Sequence, residues 1–184
     1  MKLVPVDNES IKSKFNYDEV HCSVDESLPS AKKNGKWFHI KPDGTPAYEE
    51  RYDEVDDFFE GLAKVRIRGM WFHIRFNGKP AYEERFEWVG NFSEGLAPVS
   101  DGETSFHIRF DGKAAYRRRY YHVDGFREGL ARAQDKDGLF HIRHNGTPVY
   151  KQRYTDVRHF SQGVALVRVD NRYFKIYPDN KKVE

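Results

Sequence analysis

The sequence is poor in the features that usually fix a function at sight. Cys22 is the only cysteine among 184 residues, so no intrachain disulfide can form, and a domain built without such bonds suits a reducing compartment. No apolar run approaches the ~18 residues of a membrane span, and the first residues lack the long apolar stretch of a secretory signal. A cytoplasmic location is expected. Charge of one sign is also scarce: 31 Lys and Arg offset 29 Asp and Glu, leaving +2 and no broad field to draw nucleic acid or an anionic membrane. Catalytic motifs are missing too. There is no Gly-rich phosphate loop, no nucleophile elbow and no His-Glu-x-x-His, and Cys22 has only His21 beside it, which a strand would point to the opposite face. The expectation is a protein that is not an enzyme and uses no cofactor.

What is present is repetition. Hydrophobic residues are only 38% of the chain but aromatics reach 15%, a mix that favours strands. Phe-His-Ile begins at Phe38, Phe72, Phe106 and Phe140, and Phe-Lys-Ile follows at Phe174, each 34 residues after the last. Tyr48, Arg51, Val55, Phe58 and Gly61 recur at the same step, and Tyr17-Asp18-Glu19-Val20 matches Tyr52-Asp53-Glu54-Val55. Five units result, approximately 17–51, 52–85, 86–119, 120–153 and 154–184, preceded by an N-terminal strand or cap over 1–16.

A step of this length also fits helix-pair repeats. The Asp43-Gly44, Asn77-Gly78, Asp111-Gly112 and Asn145-Gly146 pairs argue against that reading, because they supply the positive φ of a tight hairpin turn. Lys36–Lys41 reads as a strand, Thr45–Glu49 as its hairpin partner and Leu62–Ile67 as a third strand. Residues 49–59 read equally as a short helical turn or as a further short strand. The expected fold is mainly all-β, with five β-meander units forming a small five-bladed propeller-like ring or, alternatively, an open twisted array. In the ring the strand-like Lys2–Val6 would supply the strand that the truncated last unit lacks.

The unit resembles the WG repeat, a bacterial β-repeat family. The resemblance rests on Phe92-Ser93-Glu94-Gly95-Leu96-Ala97-Pro98-Val99, Phe59-Glu60-Gly61-Leu62-Ala63-Lys64-Val65 and Phe126-Arg127-Glu128-Gly129-Leu130-Ala131. Trp37 and Trp71 are followed by Phe-His-Ile in place of the family's Gly-Tyr-Ile, which marks a divergent branch. The resemblance implies bacterial origin and a β-repeat fold, and it transfers no active site.

The expected function is that of a monomeric binding module recognising a protein, peptide or glycan through one face of the repeat stack. A purely structural interaction domain is the alternative, and an enzyme of unrecognised type a remote one. Trp37, Trp71 and Trp88 are candidate stacking platforms, and Arg51, Arg85, Arg119 and Arg153 candidate partners for carboxylate or phosphate. Each candidate has a structural reading. The tryptophans fit a core, and the arginines fit a ladder with Glu60, Glu94, Glu128 and Gln162, nine residues further on. His39, His73, His107 and His141 are read as structural hydrogen-bonding groups, with no metal site. The most irregular surface lies in the fourth unit, where Arg117, Arg118, Arg119, Arg127 and Arg132 gather with His122.

Overall fold

The computed structural model describes residues 8–22 and 28–182. The chain divides into two compact units, Met1–Arg85 and Phe86–Glu184. The first unit holds helix α1 (Asn8–Phe15) and two sheets, β1 (Glu19–His21), β2 (Ser30–Lys33), β3 (Lys36–His39) and β4 (Glu54–Phe59), β5 (Leu62–Ile67), β6 (Met70–Ile74). The second holds three sheets: β7 (Trp88–Val89), β8 (Ala97–Ser100), β9 (Ser105–Ile108); β10 (His122–Val123), β11 (Ala131–Asp135), β12 (Gly138–Ile142); β13 (Asp156–Val157), β14 (Ala165–Val169), β15 (Arg172–Ile176). All five sheets are antiparallel meanders in chain order.

Residues 49–59 settle on the strand alternative. Residues 54–59 form β4, the first strand of its sheet, and its equivalents are the shorter β1, β7, β10 and β13. The register shifts between Val55 and Phe58, and this bulge turns one backbone carbonyl out of the ladder. Thr45–Glu49, expected as a hairpin strand, pairs with the end of β3 through a single bridge at Ile40–Pro46, where the Ala47 N–H meets the His39 carbonyl (2.9 Å) and the Lys41 N–H meets the Thr45 carbonyl (2.8 Å). The segment then leaves the sheet and returns at Tyr52, which exchanges both backbone bonds with Trp37. Pro46 has no N–H to extend the ladder.

Tight hairpin turns also fall elsewhere than the Asp-Gly pairs suggested. Two consecutive positive φ values occur at Glu60-Gly61 (48°, 81°), Glu94-Gly95 and Glu128-Gly129. At Asp43-Gly44 only the glycine is positive (85°), and a Gly44 N–H bond to the Lys41 carbonyl closes a wider turn.

Packing follows the pleat. Val65 pairs with Val55 and Phe72, Val99 with Val89 and Phe106, and Ala133 with Val123 and Phe140. These rows are buried apart from the partly covered Val55, each large side chain contributing on the order of 2 kcal/mol. α1 caps the first sheet. A Cβ at Gly44 would strike Phe15 and Ile11, whereas one at Gly78 would strike Tyr48 and one at Gly146 would strike Tyr116. The helix thus fills the place that the recurring tyrosine fills later. The Lys2–Val6 strand expected to close a ring lies outside the described residues.

Candidate functional site

The repeat's polar residues are committed to the scaffold. His39, His107 and His141 are essentially inaccessible. Each Nδ1 faces a tyrosine hydroxyl nine residues on, Tyr48 (2.6 Å), Tyr116 (2.5 Å) and Tyr150 (2.6 Å). Each Nε2 faces a carbonyl where the following sheet's first strand breaks: Asp56 (3.0 Å), Asp124 (2.8 Å) and Arg158 (2.9 Å). A carbonyl can only accept, so Nε2 carries the proton and Nδ1 accepts from the hydroxyl. Burial pushes the pKa of all three histidines down to about 4 and pushes the tyrosines up. His73 makes the same contact with Tyr82 (2.5 Å). The histidines were expected to be half-buried and structural. All four are fully buried, and His39, His107 and His141 bond across to the next sheet.

The four candidate arginines are loop organisers. Arg51 Nη1 donates to the carbonyls of Tyr48, Glu49 and Glu50 at 2.8–3.0 Å, and Arg85, Arg119 and Arg153 repeat the arrangement. Each guanidinium lies over a phenylalanine, 3.6–3.8 Å from the centroids of Phe38, Phe72, Phe106 and Phe140. The expected Arg–Glu ladder is replaced by two separate ones in the second unit. Glu94 accepts from the Gly129 N–H, and Glu128 from those of Gln162 and Gly163, so each turn's carboxylate holds the next turn. Sequence spacing suggested the pairing because both residues recur; it carried no signal for backbone partners.

One row of each sheet varies instead of recurring. It runs Glu19–Lys32–Trp37, Glu54–Arg66–Trp71, Trp88–Ser100–Ser105, His122–Gln134–Leu139 and Asp156–Arg168–Tyr173. Pairing partners share a face, and this face is opposite to the Val–Val–Phe rows. In the first two rows an acid pairs with a base, Glu19 with Lys32 and Glu54 with Arg66, and the base lies over the tryptophan. Trp37 and Trp71 therefore occupy equivalent places in neighbouring sheets. Trp88 sits at the other end of its own row, 43% exposed beside two serines. The three tryptophans do not form one cluster of like positions.

The fourth row, with Leu139 where Trp37 and Trp71 stand, borders a cleft of about 320 Å³ between the fourth and fifth sheets. Leu139, Tyr154 and Val169 supply its apolar wall; Gln134, Asp137, Arg153, Thr155 and Asp170 supply polar groups. Gly138 adopts φ 135°, and a Cβ there would lie 2.8 Å from the Tyr154 carbonyl. Only glycine fits this close approach. The signal in the sequence was the pair Gly138-Leu139, standing where Met70-Trp71 stands in the second unit.

The irregular charge of the fourth unit resolves into an ion cluster on the same sheet. Asp124 accepts from His122 Nε2 (2.9 Å) and Arg132 Nε (2.5 Å), and Arg132 Nη1 reaches the Val157 carbonyl (3.0 Å). Burial works to raise the Asp124 pKa, yet His122 and Arg132 hold it down at about 2. His122 is raised by the same contact. Arg119 belongs to its own loop, and Arg117 and Arg118 project into solvent. Among the described residues no group of three or more His, Cys, Asp or Glu could hold a metal ion, and no helix is long and apolar enough to cross a membrane.

The model of the WG containing repeat matches residues 40–71, 77–104 and 142–173, half of the chain. The chain belongs to this WG-repeat family. None of the curated proteins matches it in sequence. Among solved structures it is similar to KlHsv2 with loop 6CD replaced by a Gly-Ser linker (TM-score 0.55, 14% identity, 88% of this chain and 64% of that one). It is also similar to Hsv2p of Kluyveromyces lactis (TM-score 0.52, 14% identity, 91% of this chain and 65% of that one). The WG-repeat chain thus spans just under two thirds of either protein, and at this identity the likeness concerns the propeller-like fold of tandem antiparallel sheets alone.

Proposed function

We propose that this WG-repeat chain is a non-catalytic binding module that recognises a protein segment or peptide through its varying rows, with the cleft between the fourth and fifth sheets as a point of contact. The observation that supports this most is the contrast between the two kinds of position. Recurring His, Tyr, Arg and Glu side chains bond to the chain itself, whereas the rows change chemistry from sheet to sheet and, apart from the buried Ser105, stay at least partly accessible. Binding sites are concave and combine apolar walls with placed polar groups, and the cleft sets three apolar side chains beside five polar ones. The tryptophans, more than the arginines, are the site residues retained in this reading. A second reading is favoured by one feature: Trp88, exposed beside Ser100 and Ser105, is a platform of the kind a sugar ring stacks on.

Arrays of peptides and of glycans, probed with the purified chain, test both readings. Peptide binding that disappears in Leu139→Trp, which fills the cleft with the residue found at Trp71, is the expected result. Glycan binding lost in Trp88→Ala would move the site to the third sheet. Silence on both arrays from a fully folded protein would contradict a binding role and favour a structural domain.

A further inference from the structure

The cleft's charges point to the chemistry of its occupant. Arg153 is the one cation on its wall, and that charge is already answered: Nε and Nη2 donate to Asp135 at 2.9 and 2.8 Å, Nη1 bonds loop carbonyls, and the guanidinium covers Phe140. Asp137, on the β11–β12 turn, and Asp170, on the β14–β15 turn, line the same cleft from its two sides. Both are exposed, and neither forms an ion pair among the described residues. The cleft therefore presents apolar wall below and two uncompensated carboxylates at its turns. An anionic group would meet like charge there, whereas a cationic one would be attracted.

We infer that the cleft between the fourth and fifth sheets takes a basic side chain, lysine or arginine, from an extended segment of a partner protein. The methylenes would lie along Leu139, Tyr154 and Val169, and the cationic head would reach Asp137 and Asp170. Long basic side chains divide in this way between apolar surface and a polar exit. The inference rests on the cleft being the binding place proposed above, and it adds the class of group that the cleft recognises.

The test is a titration of the full chain, followed by the methyl resonances of Leu139 and Val169, with Nα-acetyl-lysine amide, Nα-acetyl-arginine amide, Nα,Nε-diacetyl-lysine amide and Nα-acetyl-norleucine amide. The two cationic amides are expected to give saturable shifts, and the two neutral ones to bind more weakly. Asp137→Asn with Asp170→Asn, exposed and near-isosteric changes whose folding is checked by thermal unfolding, should weaken the cationic amides about 5-fold, the effect of two exposed ion pairs. Equal binding of norleucine amide, indifference to the double substitution, or no saturable shift would overturn the inference. If array-selected peptides without a basic residue still depended on Leu139, the binding role would stand and only the basic group would fall.

Discussion

In the second sheet Glu54, Arg66 and Trp71 stand in line on the accessible face, the acid pairing with the base and the base covering the indole, whereas the fourth sheet places His122, Gln134 and Leu139 in the same three positions. Behind these rows the two sheets are nearly interchangeable: Val55, Val65 and Phe72 in one, Val123, Ala133 and Phe140 in the other. The buried row, the histidine and the arginine loop are held by contacts internal to the chain, so each repeat must supply the same groups. The outer row carries internal contacts in some sheets, such as Glu54 with Arg66, but no group that every repeat must supply. Replacing an aromatic by Leu139 and a side-chain-bearing residue by Gly138 opens a cleft without disturbing the sheet. Sequence variation inside a repeat array thus marks the surface free to acquire specificity.

Acid should have the largest effect, and it should act on the shared scaffold. His39, His107 and His141 have folded-state pKa values of about 4 against about 6.5 in an unfolded chain. Their neutral form contributes stability that is fully present above pH 6.5 and is lost as pH falls toward 4. Each contributes up to about 3 kcal/mol, so together they approach the whole stability of a typical domain. Unfolding followed by circular dichroism should have its midpoint between those two pH values, and a shallow, featureless loss below pH 4 would break the assignment. His141→Ala should cost about 4 kcal/mol in urea unfolding, combining a core cavity with two unmet hydrogen bonds. Arg119→Ala should cost about 2 kcal/mol, since it removes the cover of Phe106 and the donor shared by three carbonyls. Leu139→Trp should change stability by less than about 1 kcal/mol, because Trp71 shows that the position accepts an indole. Gly138→Met, equally faithful to the second repeat, should nonetheless cost about 2 kcal/mol because of the positive φ and the Tyr154 carbonyl.

Much of the fold was legible because the repeat forces the same solution five times. The period, the phase at Tyr17 and the strand at Leu62–Ile67 could be read directly, since each depends on local pattern. The broken first strand could not, because Val55, Phe58 and Phe59 have spacing compatible with helix or strand and the choice is made by the buried histidine that needs a carbonyl there. The role of the arginines was hidden for a related reason: backbone carbonyls leave no trace in a sequence, so Glu60 and its equivalents looked like the natural partners. At the N-terminus, no pattern in Asn8–Phe15 showed that Ile11 and Phe15 would stand in for a tyrosine. The cleft had a visible sign, the departure of Gly138-Leu139 from Met70-Trp71, whose meaning came only with the neighbouring sheet.

The central claim is that recurring residues build the scaffold and varying ones bind. It is tested most directly by measuring the affinity of one array-selected peptide for Arg119→Lys and Leu139→Trp side by side, each at a pH and temperature where it is folded. The account predicts that Arg119→Lys loses stability while keeping the affinity of the parent chain, and that Leu139→Trp keeps stability while losing affinity at least about 10-fold, or 1.4 kcal/mol. Affinity that follows the arginine and ignores the cleft would contradict it.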